Sequence, residues 1–215
     1  MIANWQLGAL TTRIAVPSAQ DHCAKQLECR LGYKMQTQTQ INTIILQIDP
    51  NENIAGQWFL VPKEIRHFLF DLARRRMELH ANHESSRPLS KHYEYIGLMG
   101  EWLFGQVFDL EMDLSLKPAG DGRVDFWCNG FSIDVKSGNM NTFNLFREIE
   151  KDHAEILVLA ETNISRGLVR LHGWEFDEEM LKCLTKKFGH PIVNHYKPKG
   201  NLKSIQALKE FLGKY

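Results

Sequence analysis

The sequence predicts an α/β protein of the α+β kind, one mixed β-sheet with helices packed on it. Three observations predict it. Segments with a helical period alternate with short strand-like runs along the whole chain. Asn129-Gly130 separates two apolar runs, the strongest short-range sign of a β-hairpin. The length of 215 residues suits one good-sized core plus a small extension.

The elements follow in order. "LTTRIAV" predicts a strand, "SAQDHCAKQLECRLGY" a helix with Ser18 as cap, and "INTIILQID" a second strand. "DPNENIAG" (Asp49 to Gly56) is a turn or linker by its Pro, Asn and Gly content. Residues 1–56 are therefore expected to form a small N-terminal α/β domain or extension, and 57–215 the main domain with a lysine-rich helical tail. Pro62 suits the first turn of a helix reaching about His83, with Ile65, Phe68, Leu69, Leu72 and Leu79 on one side. "ESSRPLS" breaks it, and a second helix spans about His92 to Phe108.

"LEMDLSL" (Leu110 to Leu116) alternates as a strand does. "RVDFWC" and "FSIDVK" follow as the two arms of the hairpin. "NTFNLFREIEKD" is expected to be helical, "AEILVLA" and "GLVRLHGW" strands, "DEEMLKCLTKKF" a helix, and Leu202 to Leu212 a last helix.

Composition is that of an ordinary globular protein, and its 26 basic and 26 acidic residues cancel. Their distribution is uneven: twelve acids and five bases lie between Glu101 and Glu161, eight lysines and one acid from Lys182 onward. Such a split suits cations at one place and phosphates at another, or two unrelated solvated faces. Cys23, Cys29, Cys128 and Cys183 form no CxxC pair, so neither a zinc site nor a disulfide framework is indicated. "MIANWQLGAL" does not read as a signal peptide, and no apolar run approaches the ~20 residues that cross a bilayer. The expectation is a reducing cytoplasm and no membrane.

A two-residue turn at Asn129-Gly130 forces the pairing outward. Cys128 meets Phe131, Trp127 meets Ser132, Phe126 meets Ile133, Asp125 meets Asp134, Val124 meets Val135 and Arg123 meets Lys136. Alternation then gives one apolar face and one carrying Arg123, Asp125, Trp127, Ser132, Asp134 and Lys136. Directly opposed residues have Cβ atoms about 5 Å apart, and like charges there repel. A divalent ion held by oxygen ligands, Mg²⁺ or Mn²⁺, resolves that repulsion. So would neutralisation by Arg123 and Lys136 on a solvated face.

Glu101 is the only charge in "YIGLMGEWLFGQVF", where an ionised carboxylate is costly without a partner. Gly97, Gly100 and Gly105 each weaken the helix by about 1 kcal/mol relative to alanine, which makes sense if another backbone must come close. Glu101 is read as a third acid of the site, a lysine's partner, or a residue on the outer stripe.

"GEWLFG", "DGRVDF" and "IDVKSG", in that order, resemble the PD-(D/E)XK nuclease superfamily, which includes restriction endonucleases and Holliday-junction resolvases. The resemblance covers roughly Tyr93 to Trp174. It implies a restriction-endonuclease-like core of helix, three-strand meander, helix and strand. It also implies a Mg²⁺-dependent (or Mn²⁺-dependent) nuclease, most simply a DNA endonuclease. Asp125 and Asp134 would be metal ligands, Glu101 an accessory acid and ligand, and Lys136 the residue near the attacking water. The chain departs from the family name in having Val124 where a proline precedes the first Asp. Asp121 competes for that role but lies in the "PAGDG" turn.

Arg123, Lys182, Lys186, Lys187, Lys197 and Lys199 are candidates for holding a nucleic-acid backbone. Arg74 to Arg76 is read first as a solvated flank. Trp127 is either a base-stacking ring or, the favoured reading, a half-buried sheet aromatic. Ser137, Asn139 and His153 are candidate supporting groups, while His190 and His195 read as loop histidines. Two-strand cutting would favour a homodimer. The alternative function is a catalytically inactive nucleic-acid-binding or assembly protein on the same fold.

Overall fold

The computed structural model describes residues 54, 56–80, 92–116, 124–149, 152–188 and 192–213, all within a compact unit of residues 46–215. Apart from Ile54 and Gly56, the N-terminal extension expected over 1–56 lies outside the described residues. So do Asp121, Arg123, His190 and the "ESSRPLS" break.

A short strand, β1 (Phe59–Leu60), precedes helix α1 (Lys63–His80), which begins directly after Pro62. Ile65, Leu69, Leu72 and Ala73 form its buried stripe, while Leu79 is exposed. Helix α2 (Tyr93–Phe108) buries Leu98, Met99, Trp102, Leu103 and Phe104 completely. It ends where Asp109 turns left-handed, and the Leu110 N–H donates to the Gly105 carbonyl at 2.9 Å.

The hairpin forms as expected from its turn out to Phe126–Ile133, but the expected pairings of Asp125 with Asp134 and Val124 with Val135 do not form, and Arg123 lies outside the described residues. β2 (Phe126–Cys128) and β3 (Phe131–Asn139) pair Phe126 with Ile133, Trp127 with Ser132 and Cys128 with Phe131. Asn129 and Gly130 both take positive φ, 49° and 87°, as a type I′ turn requires. The Asn129 side-chain amide also donates to the Leu212 carbonyl at 2.7 Å, tying the turn to the last helix.

The remaining strands are β4 (Asn144–Glu148), β5 (Ile156–Asn163), β6 (Leu168–Phe176), β7 (Thr185–Lys187) and β8 (Val193–Pro198). Helix α3 (Asp177–Met180) is one turn long, and α4 (Ile205–Leu212) closes the chain with Ser204 as its cap. Five strands form a mixed sheet in the order β1-β6-β5-β3-β2, antiparallel except for β3 and β5. A second sheet has the order β4-β8-β7. Helix α2 covers one face of the main sheet, with Gly100 against Ser137 and Ala160 and Phe104 against Phe126. Leu145 of the second sheet packs on the other face with Leu157, Leu159 and Met180.

Three element expectations need correction. Residues 110–116 form no strand: Met112 packs inward near Gly105, and the Asp113 carbonyl accepts from Arg76 of α1 at 2.6 Å. The expected three-strand meander is therefore a two-strand hairpin among the described residues. "NTFNLFREIEKD" supplies strand β4 rather than a helix. Its inward positions are Leu145 and Arg147, and the buried Arg147 is satisfied by Asp177 at 2.5 and 3.0 Å. An arginine on the buried face masks the strand period. "DEEMLKCLTKKF" stays helical only to Met180, because Thr185–Lys187 pairs with β8. The fold is α+β as expected, with a second sheet where the core helix was expected. No helix among the described residues is long and apolar enough to cross a membrane.

Candidate active site at the β2–β3 hairpin

Alternation along β3 puts Ile133, Val135 and Ser137 on the α2 side and Asp134 and Lys136 on the other. Asp134 is 4 % exposed and ion-paired with the Lys136 ammonium, which is itself partly exposed. The second sheet roofs this face, so a buried carboxylate there needs a cation within reach.

Asp125 lies just before β2 and breaks its register. Phe126 is the partner of Ile133, yet the Asp125 N–H donates to the Ile133 carbonyl at 2.9 Å. Setting two residues against one is the geometry of a β-bulge. The Asp125 Oδ2 then accepts the Val135 N–H at 2.7 Å, a bond that the Val124 carbonyl would make in a regular ladder. The carboxylate is thereby turned toward the backbone between Asp134 and Lys136. Asp125 also lines a groove of about 400 Å³ with Glu111, Asp113, Val124, Phe126 and Trp127. Trp127 is 68 % exposed, so the half-buried reading of this ring does not hold.

Glu101 approaches from elsewhere. It sits one turn after Gly97 on α2, its Oε1 3.6 Å from where a Gly97 side chain would begin. The Ser137 hydroxyl donates to the Gly97 carbonyl at 3.4 Å, which places this stripe on the face opposite Asp134. Ser137 thus serves helix–sheet packing. Asn139 accepts from the Met140 N–H and caps its own turn.

Sequence reasoning gave little weight to His153, yet it feels the charges of Lys136, Arg147, Asp177 and Asp134. Its Nε2 is 3.0 Å from the Glu148 carbonyl, and its Nδ1 is buried with no hydrogen-bond partner among the described residues. Burial first, then Lys136 and Arg147, lower its pKa to about 4, so it is neutral near pH 7.

A second polar centre was missed altogether. Glu161 of β5 stands beside Gly138 of β3 and is 3 % exposed. It accepts from the Asn141 N–H (2.9 Å), Arg170 (2.7 and 3.1 Å) and His172 Nε2 (2.5 Å), with Lys199 3.8 Å away. Burial opposes its ionisation, but these donors prevail and hold its pKa at about 2. Arg170 is the register partner of Glu161, and the pairing of β5 with β6 skips His172, which reaches the same carboxylate.

Among the cationic candidates, Lys182 pairs with Glu179 at 2.6 Å and Lys197 with the buried Glu175. Lys186 and Lys187 are exposed on β7, and Lys199 borders Glu161. Arg74 and Arg75 are paired with Asp71 of their own helix, as a solvated flank would be. His195 is not in a loop but in β8, with Nδ1 3.0 Å from the Cys183 carbonyl.

Among the described residues, no group of three or more His, Cys, Asp or Glu side chains is gathered to hold a metal ion. Mg²⁺ does not require one, since it is commonly held by one or two carboxylates with water and substrate oxygens. Asp125 and Asp134 fit that donor chemistry. No protein-family model, curated protein or solved structure matches this chain.

Proposed function

We propose that the chain is a Mg²⁺- or Mn²⁺-dependent nuclease that hydrolyses phosphodiester bonds, acting as an endonuclease on DNA in a reducing cytoplasm. One observation carries this reading: the Asp125 carboxylate is bonded to the N–H of Val135, the residue between Asp134 and Lys136. That bond brings the Asp125 carboxylate to the β3 backbone between Asp134 and Lys136, and the chain order of these residues is that of the PD-(D/E)XK motif, which supports the reading. Asp125 and Asp134 would hold the ion, which when bound supplies charge neutralisation and a more acidic water. Lys136 would neutralise charge developing on the phosphate or orient the water. Trp127 flanks the groove beside Asp125 and offers a ring for a base. A homodimer would present one such site to each strand of a duplex.

A second reading, a non-catalytic nucleic-acid-binding or assembly protein, is favoured by the Lys136–Asp134 ion pair. Incubation with plasmid, single-stranded and branched DNA in Mg²⁺, Mn²⁺ or EDTA separates the two. Nuclease action predicts divalent-dependent cleavage that falls by about a hundredfold or more in Asp134→Ala and Lys136→Ala, with binding retained. Cleavage that survives those substitutions or EDTA removes the assignment.

A further inference from the structure

Two exposed aromatic rings carry fixed cations around the buried Glu161. The Arg170 guanidinium lies 4.2 Å from the centre of the Trp58 ring, and its other side is bonded to Glu161. The Lys199 ammonium lies 5.1 Å from the Phe143 ring and 3.8 Å from Glu161. The Lys199 N–H donates to the Phe143 carbonyl at 2.8 Å, so that pair is set by the backbone. Trp58 is 38 % exposed and Phe143 60 %. One carboxylate serves two full cations, which leaves net positive charge beside both rings.

The location matters as much as the composition. Glu161 is level with Gly138 in the β3–β5 register, two residues along β3 from Lys136 on the same face. One pleat repeat is about 7 Å. Glu161 and then Arg170 lie one and two strands across from that position, each about 5 Å further, so the ring–cation pairs begin roughly 10 Å from the candidate active site.

We propose that Trp58–Arg170 and Phe143–Lys199 are stacking platforms for a single-stranded segment of nucleic acid that leads to Lys136. This deepens the nuclease reading and rests on it for the direction of the strand. Exposed rings with adjacent cations suit unpaired bases and their phosphates, since every base has a face to stack. A duplex keeps its bases stacked on one another and offers such rings nothing.

The test is fluorescence anisotropy of the full chain in EDTA with a labelled oligothymidylate, a duplex of equal length, and polyglutamate as competitor. Wild type is expected to prefer the single strand. Trp58→Ala and Phe143→Leu are each expected to weaken it about tenfold, while Trp58→Phe and Phe143→Tyr keep it. These ring-retaining variants guard against a loss of folding. Unchanged affinity in both ring-removing variants, equal affinity for the duplex, or tighter binding of polyglutamate overturns the proposal. Ring-dependent binding with no cleavage under any metal would sink the nuclease reading alone. Cleavage with ring-independent binding would sink this one alone.

Discussion

His153 shows how a single side chain can be set by its surroundings rather than by its own chemistry. Its Nδ1 has no partner among the described residues, and a proton there would add charge beside Lys136 and Arg147. It should therefore stay neutral through roughly pH 5 to 8, where an ordinary histidine titrates. NMR titration of its ring protons should give a midpoint near 4, and a midpoint near 6.5 would show that the ring is not held as described. Neutrality also leaves it free to accept a hydrogen bond near Lys136 without opposing an incoming cation. The sequence could place His153 only between a segment read as a helix and one read as a strand. Its neighbours come from β3, β4 and α3, and no local pattern announces that meeting.

At the scale of elements, the glycines of α2 divide into two kinds. A side chain at Gly100 would begin 2.0 Å from the Ser137 hydroxyl and 2.9 Å from the Ala160 methyl group, so helix and sheet would have to part. At Gly97 the nearest atom is the mobile end of Glu101 at 3.6 Å. Gly100→Ala should destabilise the fold by about 1–3 kcal/mol through overpacking. Gly97→Ala should be neutral or stabilise it by up to about 1 kcal/mol through helix propensity. Urea unfolding of the two variants checks this, and equal effects would contradict the packing. The need for close approach was legible in three glycines within one helix, but not which of them makes it. The hairpin was legible from its turn to Phe126–Ile133, because turn and alternation are local, but the bulge at Asp125 was not. β4 was not legible, because it pairs with β8, a strand far along the chain; β7 was not, because Thr-Lys-Lys, exposed throughout, carries no apolar alternation even though it pairs with the adjacent β8.

Across the whole molecule, several buried groups make stability fall with acid. Below its usual value of 6.5, His153 takes up a proton in the unfolded chain but not in the folded one, so stability declines from about pH 6.5 toward 4. Glu161 contributes stability above its usual value of 4.5, and that is lost as pH falls toward 2. Glu175, lowered by Lys197 and Lys203 against the effect of its burial, acts in the same direction. The thermal midpoint should therefore decline through two successive windows as pH falls. His172, lowered from the same usual value chiefly by burial, acts in the same window, so His153→Gln should lessen the upper decline without abolishing it and leave the lower. A midpoint constant from pH 6.5 to 4 in the wild type would contradict the first of these assignments.

Local chemistry alone determined the two main helices, the hairpin with its turn, and the order of Glu101, Asp125, Asp134 and Lys136 along the chain. These depend on periods and turn residues that act within a few positions of one another. Tertiary structure decided the rest. Whether acids meet depends on which strand faces which helix, and here packing turned Glu101 to one side of the sheet and Asp134 to the other. It also gathered Arg170, His172 and Lys199 onto Glu161. A buried carboxylate takes its partners from wherever the fold brings cations close, at any separation in sequence.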